Sequence, residues 1–189
     1  MKVKDFGEIR IGHAFRERLV AVPDGEIKVI QPRNILPEGL VFGKDEPLRT
    51  DINAPKPLQR GDVLVVNRGR FAATVFDLPE SDIWIVPSSV LVLSIFDQAV
   101  MPEYVALYFN SGSGQKMFRR HLELTTVSFI SAKNLGEIDI QIPLIKRQKD
   151  LIAFEKDAMK YTRLSNRKQA LLKEILNNEL NHEKQKMTR

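Results

Sequence analysis

The chain has 189 residues, 43% of them apolar, with no cysteine and a formal net charge of +5. That is enough apolar material for one full core, and the lack of thiols excludes disulfides, thiolate metal sites and cysteine nucleophiles, which suits a reducing cytoplasm. The charge is uneven: residues 1–145 carry 17 Lys and Arg against 18 Asp and Glu, residues 146–189 carry 12 against 6, so nucleic-acid contact by the first part must come from local clusters.

The opening Met1-Lys2-Val3-Lys4-Asp5 lacks the apolar core of a signal peptide. No run approaches the ~20 apolar residues of a membrane span, and a soluble, cytoplasmic protein without membrane contact is expected. Residues 26–30 alternate and predict a strand, which Pro32, Pro37 and Gly39 end. Residues 43–60 hold Pro47, Pro55 and Pro57 and few apolar positions, and read as a long surface loop. Gly61-Asp62 leads into the apolar run Val63-Leu64-Val65-Val66, then a turn at Asn67-Arg68-Gly69-Arg70 and a second strand over 71–76, which together predict a hairpin. Trp84, between Ile83 and Ile85, reads as a core or edge-strand anchor, and residues 90–95 as another buried strand. Pro102 suits a first helical turn, and Tyr104, Val105, Tyr108 and Phe109 carry that helix to Asn110. Ser111-Gly112-Ser113-Gly114 reads as a C-cap and linker before a short basic helix over 115–122. Residues 125–130 are strand-like, 131–135 form a turn, and the alternating 138–142 predict a strand that Pro143 stops.

A long helix is expected from about Gln148 to about Leu180, roughly 50 Å at 1.5 Å per residue. Leu151, Phe154, Ala158, Tyr161 and Leu164 fit heptad a/d spacing. After the polar patch 165–169 the stripe resumes at Leu171, Leu172, Ile175, Leu176 and Leu180. Leu151 and Phe154 are expected to pack back on the preceding domain. The stripe from Leu164 to Leu180 has no later domain to cover it and no turn that lets the helix fold back, so a partner helix is expected. Each Leu or Ile so buried is worth about 1.5–3 kcal/mol before the costs of association. The organisation read from the chain is a domain over 1–145 and a pairing helix over 146–189.

Candidate chemistry is sparse. Asp24, Glu26 and Lys28 have the residue types of a nuclease site, but they sit around a turn at Gly25, where the carboxylates cannot converge on one ion. Asp77-Leu78-Pro79-Glu80 lacks the second proline and the aromatic ring of an amino-methyltransferase loop. Residues 111–114 follow a helix and lack the Gly-Lys-Ser/Thr sequel of a phosphate loop. His13, His121 and His182 have no ligand spacing. The reading is a recognition module that needs no metal and no cofactor. Its local basic clusters are Arg68 with Arg70, and Lys116, Arg119 and Arg120 with His121.

Several segments, in order, resemble the specificity (S) subunits of type I restriction-modification systems. They are Leu58-x-x-Gly61-Asp62-Val63-Leu64-Val65 with Gly69; Pro87-Ser88-Ser89-Val90-Leu91-Val92-Leu93; the run from Pro102 to Ser111 with Gln115; and Ile130-Ser131 with Leu135, Ile138, Ile140, Ile142-Pro143 and Gln148. Leu144 stands where that family often has a second proline. The resemblance, to a half-length form with a single target-recognition domain, implies an α/β (α+β) fold. A compact β-rich recognition domain would be followed by one long C-terminal α-helix that pairs as an antiparallel coiled coil. It implies a non-catalytic subunit that reads double-stranded DNA and assembles with a methyltransferase (modification) subunit, with a restriction/translocase subunit as a further partner of that system. A half-length form is expected to homodimerise through the helix and to direct the complex to a bipartite target.

On that reading Arg68 and Arg70 at the hairpin tip suit guanine edges. Lys116, Arg119 and Arg120 suit phosphates, and Lys44, Arg49, Lys56 and Arg60 line the long loop. The dimer or subunit interface is expected at Leu164, Leu171, Leu172, Ile175, Leu176 and Leu180. The other reading is a dimeric adaptor that binds protein and not DNA, which the near-balanced charge of residues 1–145 suits.

Overall fold

In the computed structural model the described residues are 1–15, 22, 25–44, 47–52, 56–79, 81–123 and 128–187, with side chains described as far as residue 177. The strands are β1 Gly7–Ile11, β2 Ile27–Val29, β3 Ile35–Leu36, β4 Gly39–Leu40, β5 Leu48–Thr50, β6 Val63–Val66, β7 Ala73–Val75, β8 Ile83–Ile85 and β9 Val90–Ile95. The helices are α1 Pro102–Asn110, α2 Gly112–Arg120, α3 Ala132–Gly136 and α4 Ile145–Met187. By contacts the chain divides into two units, Met1–Asp150 and Leu151–Arg189.

The two apolar runs make the centre of the first unit. β6 and β9 lie side by side in an antiparallel sheet of order β1-β9-β6-β7, with Val65 opposite both Leu91 and Ala73. Every residue of β6 is buried, as expected for a strand with no polar alternation. The expected hairpin and the 90–95 strand are therefore present. A smaller sheet of order β5-β2-β8 pairs β2 antiparallel to β5 and parallel to β8. Trp84 on β8 is 5% exposed and packs in one core with Ile30, Ile35, Leu58, Leu64 and Phe76. The Lys28 ammonium sits 5.2 Å from the Trp84 ring centroid and 2.8 Å from Asp82, which gives that lysine a structural employment.

The Leu58-x-x-Gly61-Asp62 segment has a physical reading. Leu58 joins the core, and Gly61 takes φ +92°, a region that side-chain-bearing residues rarely adopt. The buried Asp62 carboxylate accepts from the Gln59 N–H at 2.9 Å and the Ser94 hydroxyl at 2.6 Å, and lies 3.6 Å from Arg10. Arg10 also donates from Nη1 to the Lys56 carbonyl and from Nη2, the nitrogen nearest Asp62, to the Pro57 carbonyl. A turn, the central strand and the edge strand β1 are thus tied through one carboxylate.

Four expectations are corrected. The supposed loop 43–60 contains β5, whose backbone continues the smaller sheet, while positions 45–46 and 53–55 lie outside the described residues. The Ser-Gly-Ser-Gly stretch is not a linker: Ser111 ends α1 and caps α2 at once, its side chain accepting from the Gly114 N–H at 3.2 Å. Residues 131–135 are a capped single turn of helix rather than an open turn. Residues 138–142 keep their alternating burial but form only a bridge, with Lys2 opposite Asp139. Of the strand-like run at 125–130, positions 125–127 lie outside the described residues.

That bridge is a charged clamp. The Lys2 and Lys4 ammonium groups lie 2.6 and 2.5 Å from the two oxygens of Glu137, and the Met1 amino group lies 2.5 Å from Asp139. Hydrogen bonds from Lys2 and then Lys4 bring the Glu137 carboxyl from its ordinary 4.5 down to about 2, and the same pairing raises Lys2. A second fastening holds the start of α4. Gln148 is fully buried; its amide donates to the carbonyls of Ala99 and Pro143, both at 2.7 Å, and accepts from the Met101 N–H at 2.9 Å. The helix begins at Ile145, three residues before the expected start, because Pro143 ends the extended segment and Leu144 accepts from the Gln148 N–H.

Beyond Asp150, α4 carries a bare apolar face. Phe154 is 73% exposed, Tyr161 76%, and Leu164, Leu171, Leu172, Ile175 and Leu176 lie between 51% and 59%. The Leu180 side chain lies outside the described residues.

Two outcomes follow for stability. Gln148→Leu keeps the side-chain bulk but strands three buried backbone groups, and should cost roughly 3 kcal/mol in urea unfolding. Glu137 has a depressed folded pKa, so its contribution is complete above about 4.5 and fades as pH falls toward about 2. Glu137→Gln should therefore remove part of the acid-induced loss of stability between those values, read from urea midpoints along a pH series.

Candidate nucleic-acid interface

The hairpin tip is built by glycine chemistry and one buried amide. Gly69 takes φ +69°, which lets the chain reverse between Arg68 and Arg70. Asn67 just before it is 5% exposed and joins three segments. Its N–H donates to the Ser89 carbonyl at 3.1 Å, its side-chain amide donates to Ser88 at 3.3 Å, and its carbonyl accepts from Ile130 at 3.0 Å. The tip is thus held at its base while Arg68, Gly69 and Arg70 stand exposed.

Arg68 has a defined seat. Its backbone bridges Phe129, and its guanidinium carbon lies 5.3 Å from the Phe129 ring centroid. Phe129 is itself held by paired backbone bonds with Glu123, at 2.8 and 3.4 Å. Stacking on the ring narrows the arginine's rotamers while the guanidinium edge keeps its donors.

The basic helix is fastened to the same hairpin. Phe71, at the start of the return strand, stacks on Phe118 of α2 at 5.3 Å, and Phe118 meets Phe109 of α1 at 5.1 Å. The Gln115 amide donates to the Phe71 and Phe109 carbonyls at 3.3 and 2.8 Å. Asn110 pairs its side-chain oxygen and amide with the Ala73 N–H and carbonyl at 2.9 and 2.8 Å, extending the sheet edge with a side chain. Lys116, Arg119 and Arg120 are exposed on α2, Arg119 and Arg120 in its last turn, where cations also suit the helix dipole. His121 at the α2 C-cap is occupied: its Nδ1 lies 2.9 Å from the Met117 carbonyl, and its own carbonyl accepts from Asn134.

The expected basic residues therefore fall in different places. Arg68 and Arg70 share the tip, and α2 with Lys116, Arg119 and Arg120 is linked to that hairpin through Phe71 and Phe118. Arg49 is exposed on β5 in the smaller sheet, opposite Lys28. Arg60 is exposed in the turn before β6, at the opposite end of that strand from Arg68. The roles of Phe129 and of Asn67 beyond its turn were missed in the sequence, because Phe129 meets Arg68, and Asn67 meets Ser88, Ser89 and Ile130, across long stretches of chain. Among the described residues no cluster of His, Asp or Glu could hold a metal ion, and no helix is long and apolar enough to cross a membrane.

No family model matches the chain, and no curated protein matches it in sequence. Among solved structures it is similar to a chain from a study of complex assembly and conformational transition of the type I R-M system, with TM-score 0.67 and 15% identity over 89% of this chain and 40% of that one. It is also similar to the HsdS subunit from Thermoanaerobacter tengcongensis, with TM-score 0.60 and 15% identity over 87% of this chain and 38% of that one. An S subunit from M. genitalium aligns at TM-score 0.48 and 16% identity, over 73% of this chain and 32% of that one. The chain spans about two fifths of the length of the first and second of these proteins. What it shares with the first two is the fold: a β-rich unit followed by a long helix.

Proposed function

We propose that the chain is a DNA-recognition subunit of the type I restriction-modification kind. The Met1–Asp150 unit reads a double-stranded half-site, and α4 pairs with the α4 of a second copy. The subunit works in the cytoplasm, carries no catalytic chemistry, and directs a separate methyltransferase subunit, with a restriction/translocase subunit joining the same complex. The observation that carries this reading is the fold likeness over 89% of the chain to a type I R-M protein. The hairpin tip adds a chemical reason: an arginine seated on a ring beside a glycine turn is a short, pre-ordered probe for base edges. The helix α2, fastened to that hairpin, supplies cations of the kind that bind phosphates. A two-fold pair of readers faces a bipartite palindrome.

The test is duplex binding by fluorescence anisotropy over a salt series, with a sequence selected from a random pool and with the unselected pool. Arg119→Ala and Arg120→Ala should weaken both alike and each lower the slope of log K against log salt by roughly one. Arg68→Ala should cost about 1–3 kcal/mol on the selected sequence and little on the pool. Its folding stability should fall by less than about 1 kcal/mol, the worth of an exposed cation–π contact. Absence of duplex binding at low salt would overturn the reading in favour of the non-DNA adaptor.

A further inference from the structure

Three stretches of chain lie side by side next to the hairpin tip. Phe129 bridges Arg68 along one edge and Glu123 along the other, both antiparallel. Residues directly opposite one another in antiparallel strands carry their side chains on one face. The row Arg68, Phe129, Glu123 therefore presents a guanidinium, a ring and a carboxylate in that order. The guanidinium lies over the ring, and Glu123 stands half-buried on the ring's other side. At about 5 Å per pair the two charged residues start about 10 Å apart. Among the described residues no ion pair occupies either of them.

Glu123 differs in sign from everything around it. It is the sole acidic residue of 104–136, and 63–76 holds none, yet those two stretches supply Arg68, Arg70, Lys116, Arg119 and Arg120. Its side chain has little to do for the fold. The Oε1 atom accepts from the Asn134 amide at 3.4 Å, which a glutamine would do as well. The pairing with Phe129 is made by backbone atoms alone. Asn134 is itself anchored, because its amide also donates to the His121 carbonyl at 2.9 Å. One carboxylate oxygen is thus steered by a fixed amide, and the other accepts from no described residue.

A carboxylate is repelled by phosphates, so on a cationic surface facing DNA its use lies where bases present donors. In the major groove those donors are the amino groups of cytosine and adenine, and adenine sets an N7 acceptor beside its own. Guanine and thymine present acceptors there, which a carboxylate rejects.

We infer that Glu123 is a further base-reading residue, accepting from the amino group of a cytosine close to the base pair that Arg68 meets. This inference rests on the DNA reading proposed above and adds an acceptor to its donors. With 3.4 Å of rise per base pair, about 10 Å between the two residues limits their separation to about three steps. The two side chains discriminate in opposite senses. Arginine needs the O6 and N7 acceptors that glutamate excludes.

The test uses the full chain and anisotropy on the half-site selected from a random pool, with each base pair replaced in turn. Replacing one cytosine by thymine should weaken wild-type binding by about tenfold. Glu123→Ala should bring those two duplexes to within about threefold of each other. It should also bind the unselected pool about twofold more tightly, because a repelling charge is gone. Glu123→Gln keeps an acceptor for Asn134 and turns the other edge into an amide donor, so adenine should become acceptable where cytosine was required. The pair relaxed in these variants should lie within about three steps of the pair relaxed by Arg68→Ala. A residue that merely held Asn134 would weaken binding to selected and unselected duplexes together and leave the preferred base unchanged.

Relaxed cytosine discrimination in either variant, with pool binding undiminished, supports the inference. Should Glu123→Ala unfold, Glu123→Gln decides alone. Cytosine preference intact in both variants, or an equal fall on selected and unselected duplexes, overturns the role of Glu123 and leaves the DNA reading standing. Absence of duplex binding by the unaltered chain overturns the DNA reading and this inference with it.

Discussion

Buried and half-buried side-chain amides and one buried carboxylate complete the hydrogen bonding that the short strands of this fold leave open. The strands run from two to six residues, so much of the backbone lies outside any ladder, and buried N–H and C=O groups must find partners elsewhere. An Asn or Gln side chain offers both a donor and an acceptor, as a peptide group does. Asn110 uses both on Ala73, so that α1 stands in for a missing neighbour of β7. Gln148 does the same for Ala99, Pro143 and Met101 where extended chain becomes helix. Asn134 ties the α2 end to Glu123, and Asp62 gathers a turn, β9 and β1. Most of these contacts close loops between segments far apart in sequence, which is how a small β-rich unit acquires a rigid surface. The exposed arginines at the hairpin tip inherit that rigidity from Asn67 beneath them.

What the sequence made legible follows from whether the cause is local. The β6–β7 hairpin and β9 were readable because four to six apolar residues beside a glycine turn have few other uses. α1 was readable to the residue because Pro102 and Asn110 bracket a helical spacing. α2 was misread at its start because glycine ordinarily breaks helices. Here a Cβ on Gly114 would lie 2.1 Å from the Tyr108 carbonyl oxygen and 2.8 Å from the Phe109 Cα. The glycine is what lets the two helices adjoin with no linker, a requirement set by packing that composition does not display. β5 was missed because three residues with Arg49 pointing outward, among prolines, carry almost no periodic signal. Residues 138–142 show the converse: alternation recorded correctly that Ile138 and Ile140 are buried, but the partner is Lys2 alone, because Val3–Asp5 turn away as a 3-10 helix.

The candidate site divides in the same way. Arg68 and Arg70 at a tip, and three cations on one short helix, are statements about local structure, and the structure places them so. That the tip and α2 are fastened to one another depends on Phe71 meeting Phe118, and the seat of Arg68 depends on Phe129 returning to the hairpin. Aromatic residues in a sequence announce burial or stacking without naming the partner. Arg60, read as lining the long loop, stands exposed in the turn before β6, at the opposite end of that strand from Arg68.

The two units also divide the physical work by charge. Residues 1–145 are close to neutral while the remainder carries the excess positive charge, yet the reading chemistry proposed here sits in the neutral part. For a recognition domain this is a sensible separation, because a uniformly basic surface binds any polyanion and gains affinity without discrimination. A few arginines held by buried amides instead make contact depend on what lies opposite them. The basic residues of α4, nearly all off its apolar seam, can then keep a long helix soluble and attract anionic surfaces at long range without entering the readout. Placing the long-range attraction and the short-range discrimination on separate elements lets each be strong without degrading the other.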